Sequence, residues 1–413
     1  MKSVIKYGVN YLPVVCFLIF LIANVVYIHR WRDLWIILPL SLSIEFIYNK
    51  RWQSFKWEAK HWYLCIVLLY FSLFYLHLPF EKLYYRSWVK ILERNNAYLL
   101  LLVFCGFLGF GKEHKLSYYL NTLIVVAVLS VLYIVCYKIG LGNFIAAEDK
   151  TWVFANERIA SVNHHMKYNM YLNLALIGIW YLVSRGYQRM RWWLISYYVL
   201  CFAILFYILS ITEGRNGFLM CLITLIFIVV IETWKRNKWL SVVCLVGVLI
   251  VAGLLFAHNK RLDNNHLKEE PRLFLFKVAK EMIKEKPLLG WGANEGQYFF
   301  TQHRMAHPEC EYYNGHFLDS QVYPYTDSHS QYLQTLIVYG TVGLAVLLAT
   351  FTMPFFITRK KQLAFLIIAL VATQSATQML MIDESIPIFI YGIWFLLFFT
   401  DDILLPKGDK ATS

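Results

Sequence analysis

Charge is scarce in this sequence. Only 16% of its 413 residues are Asp, Glu, Lys or Arg, against about a quarter in soluble domains. With 59% hydrophobic residues and a mean hydropathy of +0.50, that shortage argues against a large soluble helical protein, because apolar runs of ~18 or more residues recur from end to end. Cysteine does little. Cys16, Cys65, Cys105, Cys136, Cys201, Cys221 and Cys244 sit in apolar stretches as small hydrophobes. Cys310 stands alone in a polar one. That pattern gives neither a disulfide framework nor a zinc spacing. Nothing resembles a cleaved signal peptide, since the first apolar run is too long and no small-x-small site follows it. Internal repeats, common in transporters, are missing too.

What is present is a series of apolar runs with a heavy aromatic load: 14 Trp, 29 Tyr and 30 Phe, residue types that favour bilayer interfaces. The runs lie near 8–28, 34–48, 62–80, 97–111, 117–139, 169–184, 193–212, 216–234, 239–257, 331–353, 362–380 and 385–400. They predict an all-α integral membrane protein of about twelve spans, 1–413 forming one polytopic domain. The run at 34–48 carries Glu45 and is the weakest of them.

Orientation follows from the basic residues of the short loops. With the amino terminus inside, the inner loops hold Lys50, Arg51, Lys56, Lys60, Lys112, Lys115, Arg185, Arg189, Arg191, Lys235, Arg236, Lys238 and Arg359-Lys360-Lys361. The outer loop at 81–96 dissents with Lys82, Arg86, Lys90 and Arg94, and its apolar Leu83, Trp88, Ile91 and Leu92 suit an interfacial helix. The net charge of +13 is therefore mainly topological. Nucleic acid would want a basic face on a soluble module.

The long stretch 258–330, between spans nine and ten, is expected outside the membrane, with short helices of its own. Pro271 suits a first helical position. Leu275, Val278, Ala279, Met282 and Ile283 recur on one face, Pro287 stops the helix, and Gly290-Trp291-Gly292 makes a tight turn. The remainder, 293–330, is polar and aromatic, with His303, His307 and His316.

Three features go beyond packing. Arg272 falls at about the second position of that helix, where the dipole favours an anion; pairing with Glu269 or Glu270, or plain solvation, explains it equally well. Asp327 or Ser328 can cap the next membrane helix, which puts His329 in its first turn. There the dipole favours the neutral ring that a general base needs. A bland interfacial histidine is the alternative. Glu213-Gly214-Arg215-Asn216-Gly217 is a tight polar turn between two spans, and an Arg at membrane depth suggests a site unless it snorkels to the headgroups.

These residues carry a resemblance. Gly214-Arg215-Asn216-Gly217, then Arg272 through Pro287-Leu288-Leu289-Gly290-Trp291-Gly292, then His329-Ser330-Gln331-Tyr332-Leu333 with Gly340 and Gly343 follow one another in order from about 205 to 350. In that order and on this topology the chain resembles the O-antigen ligase and polymerase superfamily of bacterial inner-membrane proteins, which have a large periplasmic loop. Asn163-His164-His165-Met166 is similar to a His-containing stretch of lipopolysaccharide ligases. The sequence departs at Glu-Gly-Arg-Asn, where relatives often show Ser-Arg-Gly, and at Ser330, where Asn is common.

The single dominant loop, late in the chain, looks more like the ligase than the polymerase. That resemblance implies an inverting glycosyltransferase of the inner membrane with its site facing the periplasm. It would move a glycan from undecaprenyl diphosphate to a sugar hydroxyl of lipid A–core, without cofactor or metal. Arg215 and Arg272 would hold the diphosphate and His329 would be the base. Asp327, Tyr332, His165, Gly290 and Gly292 would help bind substrate. No Asp-x-Asp lies on the outer side and no carboxylate pair suggests glycoside hydrolysis. A polymerase of the same superfamily is the alternative enzyme, and a lipid-linked glycan flippase the alternative without chemistry.

Overall fold

The computed structural model describes residues 2–26, 37–77, 79, 107–109, 113–150, 152–154, 165–187, 190–212, 215–258, 271–307 and 328–377. Among the described residues the chain is helical, without a strand. The helices are α1 (Lys2–Val26), α2 (Ile37–Tyr48), α3 (Ala59–His77), α4 (Leu116–Leu132), α5 (Leu141–Ala146), α6 (His165–Gly186) and α7 (Trp192–Ile211). They continue with α8 (Arg215–Trp234), α9 (Lys238–His258), α10 (Pro271–Glu285), α11 (Ala293–Ala306), α12 (Gln331–Ile357) and α13 (Lys361–Thr377). A π-helical stretch, Tyr133–Gly140, joins α4 to α5.

Six helical stretches among these residues are long and apolar enough to cross a membrane. The protein is a multi-pass, all-helical membrane protein. In lipid a backbone must satisfy its own hydrogen bonds, which is why apolar runs become helices there. The expected span at 385–400, most of the one at 97–111, and the basic loop at 81–96 lie outside the described residues. The fifth expected span is longer than its apolar run suggests, continuing through Ala146.

Glu45 no longer weakens the second span. It is 2% exposed, and Arg51 meets its carboxylate at 2.5 Å. Asn49 donates to it at 2.9 Å and to Asn10 at 2.9 Å, and Asn10 donates to Glu113. Arg51 also donates to the Leu108 carbonyl at 2.7 Å. A buried carboxylate costs several kcal/mol unless paired and hydrogen-bonded; this one is both.

α6 is the axis of the bundle, with Tyr168 through Ile179 buried on every side. Contacts fix which helix ends lie together. Ser130 of α4 bonds Tyr168 of α6 at 2.8 Å. Trp180 of α6 donates to Glu232 of α8. Tyr70 of α3 meets Thr335 of α12, and Tyr332 of α12 donates to the Ala372 carbonyl of α13 at 2.8 Å. The ends at His77, His165, Arg215, Gln331 and Thr377 are therefore on one side, here termed the head end. The ends at Ala59, Leu116, Gly186, Trp234, Ile357 and Lys361 form the far end, beside Lys60, Lys115, Arg185, Lys235 and Arg359.

Candidate functional site

The head is a helical hairpin, α10–α11, seated on the first half of α12. Its own small core contains Phe274, Leu275, Val278, Ala279, Met282 and Phe300, closed by Ile337 of α12. Each of the larger side chains contributes about 1.5–3 kcal/mol on leaving water. α11 runs through a stretch that the sequence marks only as polar and aromatic. His303 lies within this helix and His307 caps its end.

The hairpin turn enters α12 through a break. An unbroken helix would bond the N–H groups of Thr341 and Val342 to the carbonyls of Ile337 and Val338. Here Thr341 donates to Pro287 at 2.8 Å and Val342 to Leu288 at 3.3 Å, while Trp291 donates to Ile337 at 2.8 Å and Gly292 to Val338 at 2.9 Å. Two helical bonds are exchanged for four bonds to the turn. Gly340 makes this possible with φ 63°, and a Cβ there would lie 2.2 Å from the Leu288 carbonyl oxygen. Gly290, with φ 71°, would bring a Cβ to within 2.6 Å of the Val338 carbonyl. The work visible for Gly290 and Gly292 is therefore backbone docking.

His329 precedes the helix rather than opening its first turn. The cap is Ser330, whose hydroxyl accepts from the Leu333 N–H at a long 3.5 Å. Asp327 lies outside the described residues. The shift has a physical origin: His329 takes φ 50°, a left-handed conformation that no helical turn accepts. Buried bonds on either side hold it there. The Ser328 hydroxyl donates to the Ser330 carbonyl at 3.1 Å, and the Ser328 N–H donates to Gln334 at 3.2 Å. Such strain costs roughly 1–3 kcal/mol and collects at functional sites.

α12 is further fixed by polar residues within apolar helices. Gln331 donates to Tyr70 at 3.1 Å and to Thr335 at 3.2 Å. Tyr332 spends its hydroxyl on α13. At the other edge of the head end, Asn173 of α6 donates to the Gly217 carbonyl of α8 at 3.1 Å, and Gly217 packs so closely that a Cβ would fall 2.3 Å from Asn169. This pins Arg215, the first residue of α8, beside the end of α6 that His165 opens. Arg272 is the second residue of α10. Both arginines thus stand in the first turn of a helix, where the dipole opposes a cation unless an anion joins it. Sequence reasoning missed Tyr70, Asn169 and Asn173, and gave Gln331 only as part of a motif. Their signal was amide and hydroxyl groups inside apolar runs.

Electrostatics of the hairpin are set by its carboxylates. His303 lies 3.0 Å from Glu285. Burial works against its charged form, but the bond to Glu285, contact with the Phe299 carbonyl and the pull of Glu281 outweigh that and raise its pKa. Lys286 lies 4.0 Å from the Trp291 ring centre and 3.7 Å from Glu295.

Fold and site together define a multi-pass helical membrane protein whose first-turn arginines and strained histidine share one end of the bundle. Residues 200–348 match the family model described as O-antigen ligase. The resemblance to the O-antigen ligase and polymerase superfamily holds over that stretch, which contains Arg215, Arg272, Gly290, Gly292, His329, Tyr332 and Gly340 and leaves out His165. No curated protein matches the chain.

Proposed function

We propose that the protein is an O-antigen ligase of the bacterial inner membrane, with about twelve spans and the head end facing the periplasm. Its donor is a glycan on undecaprenyl diphosphate and its acceptor a sugar hydroxyl of lipid A–core. Arg215 and Arg272 hold the diphosphate as its charge develops, in place of a metal ion. His329 takes the proton of the acceptor hydroxyl. The acceptor oxygen then bonds to the anomeric carbon from the face opposite the diphosphate. The bond from that carbon to the diphosphate oxygen breaks with its electron pair, and undecaprenyl diphosphate leaves. The sugar is inverted.

The observation that carries this reading is the gathering, inside the matched stretch 200–348, of two helix-start arginines and a left-handed histidine at one end of the bundle. A deletion strain tests it. Loss of a ligase leaves full-length glycan on undecaprenyl diphosphate and none on lipid A–core. Accumulation of single repeats would make the protein a polymerase, and donor trapped in the inner leaflet would make it a flippase.

A further inference from the structure

Arg304 is 6% exposed. Its Nε is enclosed without a hydrogen-bond partner, and no ion pair joins its guanidinium to any described residue. The described carboxylates of the hairpin are engaged elsewhere: Glu285 with His303 at 3.0 Å, Glu281 with His307 at 3.9 Å, and Glu295 with Lys286 at 3.7 Å. A lysine could shed its proton in such a place; a guanidinium cannot. A largely buried charge with no counter-charge among the described residues is costly. The residue is in the last turn of α11, and the helix dipole favours a cation there, but the guanidinium forms no hydrogen bond to the last carbonyls.

Its position connects it to the site. Gly296 of α11 faces Ile337 and Val338 of α12, at 3.4 and 3.5 Å from a built Cβ. Phe300 shares a core with Ile337 and Leu333. The two helices therefore run antiparallel. Eight residues along α11 from Gly296 lead to Arg304, about 12 Å at 1.5 Å per residue, and about 10 Å back along α12 from Ile337 and Val338 lies its start at Gln331, just after His329. On the other side, the Phe274 ring lies 5.1 Å from that of His307, so the start of α10, with Arg272, points to the same end. The end of α11 that carries Arg304, the start of α10 that carries Arg272 and the turn before α12 that carries His329 therefore lie on the same side of the hairpin.

We propose that Arg304 is a third anion-binding residue of this head. It would take a phosphoryl or carboxylate oxyanion, carried by one of the two glycolipid substrates, on the planar fork that suits such groups. The assignment of that oxyanion to a substrate rests on the ligase reading; the anion site itself does not.

The test uses full-length protein in nanodiscs and compares wild type with Arg304→Gln and Arg304→Met. Three probes are titrated: undecaprenyl diphosphate, lipid A–core, and inorganic pyrophosphate followed by thermal shift. Arg304→Gln is expected to weaken one of the two lipids about tenfold and to lose the stabilisation by pyrophosphate. Which lipid weakens tells donor from acceptor. Arg304→Met is expected to raise the melting temperature of the ligand-free protein, since a buried charge is replaced by an apolar chain of similar length. If wild type binds neither lipid but pyrophosphate stabilises it through Arg304, the ligase reading fails and the anion site stands. Arg304 has only a structural role if both variants bind all three probes as wild type does and melt lower.

Discussion

At the far end of the bundle, a buried carboxylate is settled by its partners; in the head, Arg304 is a buried cation with no partner among the described residues. Glu45 is as buried as Arg304, yet it has Arg51 at 2.5 Å and Asn49 at 2.9 Å, and further bonds carry the network to Asn10 and Glu113. Arg304 has no such partner among the described residues. Arg215 and Arg272 begin helices whose dipoles call for an anion. The backbone adds one difference: the head end breaks α12 at Gly340, whereas α12 closes at Ile357 on an ordinary extended cap. Left-handed residues other than glycine occur at both ends, His329 at the head and Lys50 beside Arg51 at the far end, each at φ 50°. On the ligase reading, the head end is where the charged substrate binds.

The comparison can be broken at the proposed base first. His329→Ala is expected to insert and bind donor normally, yet to lose about 10²–10⁴-fold in transfer rate. Arg51→Ala, at the settled end, should lower stability and leave turnover per folded molecule unchanged. Single-turnover kinetics on matched amounts of folded protein would separate the two.

Smaller losses are expected from the helix-start arginines. Arg215→Ala and Arg272→Ala each remove charge-assisted bonds worth about 1.5–3 kcal/mol, which predicts a fall of roughly ten- to a hundredfold at limiting donor. Lys in either place should restore part of it, keeping the charge without the fork. Normal transfer by both Ala variants would remove the diphosphate from these residues.

Gly340→Ala sharpens the structural side of the contrast. Its Cβ meets the Leu288 carbonyl, so the turn must leave the break or α12 must close. At least the roughly 1–3 kcal/mol of a strained φ is expected, seen as a lower melting temperature and a shifted Trp291 fluorescence.

The smallest effect concerns pH. The His303 pKa is raised by Glu285 against the effect of burial. A raised folded-state value means that the stabilisation is full below the ordinary value of about 6.5 and fades as pH rises through the folded-state value. Melting curves from about pH 5 to about pH 8 should show that decline in wild type and a flatter profile in His303→Gln.

Apolar runs made most of the helices legible, because lipid leaves a spanning chain few other options. Pro271 and Pro287 likewise bracketed α10 closely. The helix start after residue 327 was harder. Asp327, Ser328 and Ser330 are all competent caps, and only the bonds of Ser328 to Gln334 and to the Ser330 carbonyl decide among them. The break at Gly340 was hidden because a glycine in an apolar run looks like ordinary close packing. α11 was hidden because its apolar face is completed by Ile337, far away in sequence. Arg304 was invisible for a similar reason: its lack of a partner among the described residues is a property of the packed hairpin, not of the neighbouring letters.

Reconstitution tests the central claim most directly. Purified protein in vesicles would be given undecaprenyl-diphosphate-linked glycan and lipid A–core on the head side, and both products followed over time. Glycan joined to lipid A–core with an inverted anomeric centre, and free undecaprenyl diphosphate released in equal amount, is the predicted result. Glycan that only lengthens on undecaprenyl diphosphate, or a transfer that proceeds equally well with His329→Ala, would contradict the account.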